Sequence, residues 1–380
     1  MGTESFDVIV VGLGAMGSAA AFHLARDGAR VLGIDQFAPP HTMGSSHGES
    51  RIIRELYYEH PMYVPLLQRA YTLWEELARD SGTPELLRTT GGLFMGAETS
   101  AVVRGVQRSA HDHGLPCAVL DREALRRQFP QFSVPESFVG VYDPRAGILD
   151  PEACVRAHLT LAQRHGATLQ TNTRVLNWNE AADGVSVETA SGIFKATRLI
   201  LAAGAWTNAL LGERALPLTL ERQTIVWFDP PGSPANYEPE RFPVFLGEFS
   251  DGQLVYGFPT LGRGWKAAVH YQGESVATAD ALDHTADARD VERVRAAVAR
   301  MFPSLWHARV REAAVCLYTD SPDLRFVVGA LPGSTQVIVC SACSGHGFKF
   351  ASVMGEALAG LAMGNSPMFD FTPFDPGRFS

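Results

Sequence analysis

The chain has 380 residues, of which 46% are hydrophobic and 19% are charged, and its formal net charge is −9. This is the composition of a globular protein long enough for two domains, each with its own core. The acidic balance argues against a nucleic-acid surface, because phosphate binding needs clustered Lys and Arg. The apolar stretch 8–25 contains three spaced glycines and follows acidic residues, so we predict neither a signal peptide nor a membrane span. We therefore expect a small-molecule partner, and neither nucleic acid nor membrane.

The five cysteines are odd in number and spread along the chain, which predicts a reducing, cytoplasmic setting rather than a disulfide framework. Cys340 and Cys343 form a CxxC pair, but no second pair and no His ligand at zinc spacing accompanies it. The pair follows the apolar run 337–339. We therefore interpret both residues as buried thiols at the end of a strand, and we expect no metal site.

A strand–turn–helix–strand pattern occupies the first 35 residues. The apolar run 8–11 leads into Gly12-x-Gly14-x-x-Gly17 and a helix of small residues, and a second strand ends at Asp35. The first Gly permits a tight turn, the second lets the backbone approach a pyrophosphate, and the third lets the helix lie close to the strand. The helix N-terminus favours phosphate, and Asp35 is placed to accept hydrogen bonds from a ribose 2′-hydroxyl. The motif predicts a bound dinucleotide and does not distinguish NAD from FAD.

A loop that contains Pro and Gly follows Asp35 and carries His47, Arg51 and Arg54. Loops that leave the carboxyl ends of strands in α/β sheets are where ligands bind, which would place these residues near a cofactor. They fit solvated loop charges equally well. The apolar stripe of the next segment predicts a helix over 61–80 whose buried face is core.

The dinucleotide unit is interrupted twice by segments of different pattern. A mixed strand and helix pattern begins near residue 88, and Asp150 with Pro151 then predicts the start of a helix. The apolar strand 198–201 ends in a small-residue turn suited to lie beneath a dinucleotide. Strands rich in β-branched and aromatic residues begin near 218. We predict an α/β fold in which a Rossmann-type dinucleotide-binding domain (1–86, 148–216 and 320–380) carries a substrate domain (87–147 and 217–319) built on a mostly antiparallel sheet.

Four separated stretches match the motifs of one family. They are the loop Gly-Ser-x-His-Gly-x-x-Arg-Ile-Ile-Arg at 44–54, Tyr256-Gly257-Phe258-Pro259 with Lys266 and His270, Cys316-x-Tyr318 with Pro322, Asp323 and Phe326, and Ser344-Gly345-His346-Gly347-Phe348-Lys349. In this order and at this spacing they resemble the monomeric sarcosine oxidase and N-methyltryptophan oxidase family of FAD-dependent amine oxidases. The resemblance covers nearly the whole chain.

The resemblance implies FAD, held through a thioether between Cys316 and the flavin 8α-methyl group. A thiolate suits this role where nearby positive charge stabilises the anion. Without the resemblance, Cys316 would be interpreted as a buried strand cysteine. The other cofactor contacts that the resemblance implies are Gly12, Gly14, Gly17, Asp35, Ser45, Arg51, Val175, Ala203, Gly204, Trp206, Gly345, Gly347, Phe348 and Lys349.

The resemblance also implies a substrate site. Arg54 and Lys349 would hold a carboxylate, a role that suits a guanidinium fork and a second cation. Lys266 would lie over the flavin and stabilise developing superoxide, whereas its alternative is a solvated strand lysine. His346 fits a structural hydrogen-bonding role equally well and is not assigned. The implied catalytic residues are Lys266, Arg51, His47, Tyr256 and His270, and the implied substrate-binding residues are Arg54, Lys349 and Tyr318.

The sequence departs from the family pattern at four positions, which are Ser46, Glu55, Trp265 and Gly329. We expect Ser46 and Glu55 to alter the charge near the substrate amine. Trp265 is expected to reshape the cavity, and Gly329 to remove a hydrogen bond near the cofactor. Together these departures weaken the prediction that sarcosine itself is the preferred substrate.

Our hypothesis is a monomeric, cytoplasmic FAD-dependent oxidase that converts a secondary amino acid, with N-methyl compounds favoured, to an imine. O₂ takes the electrons and gives hydrogen peroxide, and water hydrolyses the imine. N-methyltryptophan, pipecolate, proline and glycated amino acids stay open as substrates. An NAD-dependent dehydrogenase with the same glycines and Asp35 is the alternative from another class, although the Cys316 segment and the late return of the dinucleotide unit argue against it. A cofactor-binding protein without turnover is the third possibility.

Overall fold

A computed structural model describes residues 5–271 and 273–379, so residues 1–4 and 380 of the predicted dinucleotide domain, and residue 272 of the predicted substrate domain, lie outside the described residues. The described helices are α1 (Ala15–Arg26), α2 (Val64–Ser81), α3 (Ala101–His113), α4 (Arg122–Gln128), α5 (Pro151–Arg164), α6 (Thr207–Leu211), α7 (Ala288–Ala299) and α8 (Ala351–Ala362). The described strands are β1 (Ser5–Val11), β2 (Val31–Ile34), β3 (Arg51–Ile53), β4 (Leu87–Thr89), β5 (Gly92–Ala97), β6 (Ala118–Leu120), β7 (Phe138–Asp143), β8 (Gly147–Leu149), β9 (Thr168–Gln170), β10 (Val175–Ala181), β11 (Gly184–Thr189), β12 (Gly192–Leu201), β13 (Thr219–Phe228), β14 (Val244–Glu248), β15 (Leu254–Leu261), β16 (Gly264–His270), β17 (Glu274–Val276), β18 (Val310–Asp320), β19 (Val327–Ala330) and β20 (Val337–Ser341).

The first sheet contains the predicted dinucleotide unit. Strands β9, β2, β1, β12 and β20 run parallel side by side, while β10, β11 and β19 pair antiparallel with their neighbours. Hydrophobic side chains are buried on both faces, as a parallel sheet requires, and α1, α2, α5 and α8 pack together over one of them. Asp150 Oδ1 accepts a hydrogen bond from Ala153 N at 2.8 Å and caps α5, which confirms the predicted helix start.

The second sheet has the order β17-β13-β16-β15-β14-β5-β7-β6, with β18 also paired to β13. Its pairings among the described residues are antiparallel except for β14 with β5, which confirms the prediction of a mostly antiparallel sheet. Helix α7 packs on this sheet over a core rich in aromatic residues. The predicted boundaries between the two domains stay a prediction.

A third, small sheet consists of β3, β8 and β4. Strand β3 begins at Arg51 and ends one residue before Arg54, and each of its residues pairs with β8. The two arginines singled out from the sequence therefore lie at opposite ends of one short strand.

The sequence patterns missed the interior strands β7 and β14. Four of the five residues of β14 are buried, so the strand lacks the alternation that marks a strand with one solvent face. The predicted helix over 61–80 begins as a 3₁₀ turn at Pro61–Tyr63 and continues as α2. Within the described part of the chain, no helix is both long and apolar enough to cross a membrane.

Candidate active site

A cavity of about 400 Å³ extends from the turn between β1 and α1 to the second sheet. We call the residues that line it the cavity wall. Gly12 and Asp35 belong to this wall, and so do Cys316 and Lys349 from the far end of the sequence. The fold therefore joins the predicted dinucleotide turn and the predicted flavin and substrate residues in one cavity.

The glycine turn has the geometry that the motif predicts. Gly12 has φ +89°, and a Cβ there would lie 2.5 Å from the Ala202 carbonyl oxygen. A Cβ on Gly17 would collide with the carbonyl oxygen of Gly12, so the helix can approach the strand only without a side chain. At Gly14 the nearest atom to a Cβ would be Ser46 Oγ at 3.4 Å. Gly12 and Gly17 are thus required by the fold, whereas Gly14 keeps the cavity open at the helix N-terminus.

Asp35 lies at the end of β2, where its carboxylate supports the turn. Its two oxygens accept hydrogen bonds from Leu13 N at 2.7 Å and Phe37 N at 2.8 Å. Thr173 N donates to the backbone oxygen of Asp35 at 2.8 Å, which brings the segment 173–176 beside it. This is the position from which a carboxylate reaches a ribose.

Cys316 and Arg51 meet across the cavity. Arg51 Nη2 lies 3.7 Å from Cys316 Sγ, and it also donates to the Ser45 carbonyl oxygen at 2.9 Å. The Ser45 hydroxyl donates to the backbone oxygen of Leu317 at 2.6 Å. The loop thus holds the guanidinium of Arg51 beside the sulfur of Cys316.

An ion pair that the sequence analysis did not single out lies at the substrate end. Arg54 is buried and donates from one nitrogen to both carboxylate oxygens of Glu59 at 2.7 Å. Its guanidinium lies 4.3 Å from the centre of the Tyr57 ring and 4.8 Å from that of Tyr58. Burial raises the pKa of Glu59, but the charges of Arg54, His346 and Lys349 and the hydrogen bond from Arg54 together outweigh burial and keep that pKa below its usual value. Glu59 is therefore an anion in the cavity wall.

Lys349 is the second buried cation of this end. Its Nζ donates to the His346 carbonyl oxygen at 2.6 Å, and burial, with Arg54 adding to it, lowers its pKa to about 7. His270 Nδ1 lies 2.9 Å from the Tyr318 hydroxyl, and burial lowers the pKa of His270 well below its usual value. The histidine is therefore neutral at pH 7, and the charge of the lysine changes near that pH.

Lys266 and His47 lie one layer behind the cavity wall. Lys266 is 1% exposed, and its Nζ donates to the carbonyl oxygens of Gly48 at 2.7 Å and Ser50 at 2.6 Å. Burial, and then the charge of Arg51, lowers its pKa well below the usual value. Burial also lowers the pKa of His47 to about 3, and among the described residues its Nε2 has no hydrogen-bond partner. The structure does not bring these two residues to the cavity surface.

The remaining predicted positions divide between the cavity wall and its support. Both ring nitrogens of His346 are engaged, Nδ1 with the Tyr57 hydroxyl at 2.6 Å and Nε2 with the Leu324 carbonyl oxygen at 3.0 Å, as its structural interpretation requires. Gly17 supports the turn from outside the wall. The predicted cofactor, substrate and catalytic residues in the wall are Gly12, Gly14, Asp35, Ser45, Arg51, Arg54, Val175, Ala203, Gly204, Trp206, Tyr256, His270, Cys316, Tyr318, Gly345, Gly347, Phe348 and Lys349.

The CxxC pair lies at the end of β20. Cys340 is buried and Cys343 half-buried, and burial raises their pKa values to about 12 and about 11. Both are therefore protonated thiols at neutral pH, in agreement with the sequence interpretation. No group of three or more His, Cys, Asp or Glu side chains in the described segments is placed to hold a metal ion.

The structure corrects the expected effects of Ser46 and Glu55. Ser46 Oγ accepts a hydrogen bond from Ala15 N at 3.1 Å, so it lies at the first turn of α1, where the sequence predicts phosphate. The Glu55 carboxylate lies 2.8 Å from Arg145 Nη1, and Glu55 does not belong to the cavity wall. The Ser46 hydroxyl is therefore engaged at the glycine turn, and the Glu55 carboxylate is paired with Arg145 outside the cavity wall.

Trp265 and Gly329 also lie apart from the cavity wall. The Trp265 ring packs into the aromatic core of the second sheet, 4.9 Å from the ring of Phe302. A Cβ on Gly329 would lie 2.9 Å from the Pro376 ring, so this glycine accommodates the C-terminal segment. The expectations that Trp265 reshapes the cavity and that Gly329 affects the cofactor are therefore corrected.

A parallel sheet with a glycine turn, open to a cavity under an antiparallel sheet, defines a dinucleotide-dependent oxidoreductase. Residues 7–361 match the model of the FAD dependent oxidoreductase family, and the chain belongs to this family. The resemblance inferred from the four stretches is confirmed, and FAD is the dinucleotide.

Relatives match over the full length of the chain. It is 40% identical over 382 residues to monomeric sarcosine oxidase of Streptomyces avermitilis, with 100% of this chain and 99% of that protein covered. It is 36% identical over 376 residues to N-methyl-L-tryptophan oxidase of Salmonella typhimurium, with 99% of each covered. The solved structure of NikD, an unusual amino acid oxidase essential for nikkomycin biosynthesis, superposes with a TM-score of 0.85 at 25% identity over 98% of both chains. L-proline dehydrogenase from P. horikoshii shares the fold, with a TM-score of 0.84 at 21% identity over 99% of this chain and 98% of that one.

Proposed function

We propose that the protein oxidises secondary amino acids with O₂, and that Cys316 holds FAD through an 8α-thioether. The observation that carries the proposal is the 3.7 Å approach of Arg51 Nη2 to Cys316 Sγ in the cavity that begins at the Gly12 turn. The cavity fits FAD because it is open to phosphate at Gly14 and offers a sulfur beside a fixed positive charge at its other end. When bound, FAD takes hydride equivalents from the carbon next to the amine and passes them to O₂.

The substrate carboxylate binds at Lys349 and Arg54. Lys349 Nζ donates only to a neutral carbonyl among the described residues, so its charge is available to an anion whenever the lysine is protonated. Arg54 is already paired with Glu59, so a carboxylate must displace Glu59 or share the guanidinium with it. Burial keeps His270 neutral, so the imidazole adds no positive charge against the substrate ammonium. The relatives named for sarcosine and N-methyl-L-tryptophan support an N-methyl amino acid as the substrate.

Lys266 lies behind the loop that carries Arg51, and from this position its charge promotes electron transfer from the reduced flavin to O₂. A fixed cation stabilises developing superoxide, and here the carbonyl oxygens of Gly48 and Ser50 fix the ammonium. Burial and the charge of Arg51 oppose the charged form of Lys266 and lower its pKa well below the usual value, while the carboxylates of Glu49 and Glu152 favour the charged form. The proposal includes a monomer in a reducing cytoplasm, where the cysteines stay unpaired.

Acid denaturation tests the covalent bond. Yellow colour should precipitate with the wild-type protein, and Cys316→Ala should release it into the supernatant. Cys343→Ala is the matched control, because it removes another thiol of the cavity wall and should leave the colour in the pellet. Colour in the wild-type supernatant would exclude the thioether, and a colourless protein would exclude the flavoprotein.

Peroxide formation tests turnover. A panel of N-methyl amino acids, cyclic secondary amino acids and the matching primary amino acids should give peroxide with secondary amines in preference to primary ones. Absence of peroxide with every member, from a protein that holds flavin, would leave the third possibility, a cofactor-binding protein without turnover.

A further inference from the structure

One carboxylate from the second half of the chain reaches the dinucleotide end of the cavity. Asp280 lies in a short 3₁₀ turn, Ala279–Ala281, that follows β17. Its Oδ1 accepts a hydrogen bond from Trp206 Nε1 at 2.6 Å, and its Oδ2 accepts one from Arg174 Nη2 at 3.1 Å. Because Trp206 and Arg174 both belong to the cavity wall, Asp280 joins two parts of that wall from outside.

These two wall residues lie near Asp35, the residue that is predicted to contact the ribose. The segment 173–176 is held beside Asp35 by the hydrogen bond from Thr173 N. The Trp206 ring lies edge-on to Phe37, two residues beyond Asp35, with 5.6 Å between the ring centres. Since Asp35 is placed for the ribose, the next group along the ligand is the adenine, and Trp206 is placed to contact it.

The turn that carries Asp280 is anchored on both sides by buried residues, so the carboxylate is held in place although it is exposed. The anchors pack against the strand that contains the candidate flavin cysteine. This hydrophobic cluster consists of Ala279, Leu282, Val315 and Leu317, with Trp206 packed against it.

Of the two contacts of Asp280, the bond to the indole is the stronger. The side chains of Arg174 and Asp280 are 62% and 54% exposed, and ion pairs this open to water contribute little. The indole bond is short and charge-assisted, and it is the main reason why the pKa of Asp280 lies below its usual value. Asp280 is therefore ionised at neutral pH and fixes the orientation of the Trp206 ring.

We propose that Asp280 is a positioning residue for the cofactor. It holds the Trp206 ring in place against the adenine ring of FAD, and we call this contact between the segment 274–282 and Trp206 the clasp. The inference rests on the proposed FAD site and concerns affinity for the purine nucleotide half of the cofactor. It assigns no contact between this segment and the flavin.

Binding of FAD, ADP and FMN tests the clasp. In a Cys316→Ala background, where FAD binding is reversible, Asp280→Ala should raise the Kd for FAD and for ADP by about 3- to 10-fold, the range expected for one hydrogen bond of ordinary net strength at an exposed site. The Kd for FMN, which lacks adenine, should not change. Calorimetric titration of the apoprotein measures all three.

Two further variants separate positioning from general destabilisation. Trp206→Phe keeps a ring but removes the N–H, so it should reproduce the loss, and the double variant should lose no more than either single one. Asp251→Ala is the matched control, because Asp251 is 59% exposed, pairs with Arg300 at 2.9 Å and lies between β14 and β15, outside the cavity wall. Thermal unfolding of each apoprotein should match that of the parent.

The outcomes distinguish the clasp from the proposed function. An unchanged Kd for ADP in Asp280→Ala, or an equal loss of FMN affinity, would overturn the clasp while FAD binding by the parent left the proposed function in place. Additive losses in the double variant would also overturn it. A parent that bound no FAD would overturn both.

Discussion

The two ends of the cavity are built in opposite ways. At the dinucleotide end, the glycine turn and Asp35 come from one continuous segment of the sequence, and backbone geometry determines what fits there. At the other end, Arg51, Cys316 and Lys349 come from three distant segments, and the common feature is charge. The difference predicts that substitutions at the first end act through steric exclusion, whereas those at the second act gradually and depend on pH.

Substitution of a glycine at the dinucleotide end of the cavity should have the largest effect on folding or FAD binding. Gly17→Ala places a methyl group against the Gly12 carbonyl oxygen, so we expect loss of the folded protein or of bound FAD. Gly14→Ala adds a methyl group where the structure leaves space, so the apoprotein should fold while FAD binding falls. For each variant, thermal unfolding measures the stability of the fold and flavin content measures FAD binding.

Gly360→Ala is the control for these glycine substitutions, since its Cβ would lie 3.9 Å from the nearest atom, Asn365 Cβ, within α8. A helix-interior Ala should raise stability there by up to about 1 kcal/mol. Wild-type FAD binding by Gly17→Ala would break the steric account of this end.

Removing the buried lysine behind the wall should have the next largest effect. We expect Lys266→Met to slow reoxidation of the reduced enzyme by O₂ about 100-fold, the scale of one preorganised electrostatic group, with a smaller effect on reduction by substrate. Stopped-flow absorbance measures the two half-reactions separately. Lys195→Met removes an exposed lysine and should alter neither. Equal slowing of both half-reactions would contradict a role specific to O₂.

Substitution of Glu59 tests whether its carboxylate competes with the substrate carboxylate for Arg54. If Glu59 competes with the substrate carboxylate, Glu59→Gln should tighten binding of a non-reacting acid such as propionate roughly 10-fold, and it should also destabilise the fold because Arg54 stays buried without its partner. Titration of the flavin absorbance measures the Kd. Weaker propionate binding would show instead that Glu59 orients Arg54 for the ligand.

The smallest effect is the pH dependence of carboxylate binding. The pKa of Lys349 is about 7, and an anion prefers the protonated lysine, so affinity is highest below pH 7 and falls as pH rises. From pH 7 to pH 8 the protonated fraction falls about fivefold, and the Kd for propionate should rise by the same factor. In Lys349→Met the dependence should disappear.

The titration of Lys349 is directly observable. The chain has three lysines, Lys195, Lys266 and Lys349, so carbon signals from labelled lysine side chains are few enough to assign by substitution. A signal lost in Lys349→Met that titrates near pH 10 in the wild type would contradict the predicted pH dependence.

The contrast between the two ends of the cavity also explains which site residues could be predicted from the sequence. The glycine turn and Asp35 were predictable because their spacing is local. The meeting of Arg51 with Cys316 followed from the family resemblance, since no local pattern relates residues so far apart. Glu59 carried no signal at all, because its role depends on the direction in which the Arg54 side chain turns.

Depth within the fold was the other quantity that the sequence left open. Lys266 was expected at the flavin and lies behind the wall because two backbone carbonyls hold its ammonium. Trp265 was expected in the cavity, yet it precedes Lys266 in β16, and adjacent strand residues face opposite sides of a sheet. Alternation along β16 puts Trp265 on the face opposite to Lys266, and the structure shows that this face packs in the core of the second sheet.

Strand β3 sets a fixed spacing between the two functions of the cavity. It separates Arg51, beside the cysteine sulfur, from Arg54, beside the carboxylate of Glu59, by three residues, or about 10 Å between Cα atoms. Pairing with β8 makes this spacer rigid. The distance between the flavin attachment site at Arg51 and the carboxylate-binding site at Arg54 is thus fixed by the backbone. A larger or smaller substrate must therefore be accommodated by substitutions in the cavity wall and not by movement of these two arginines.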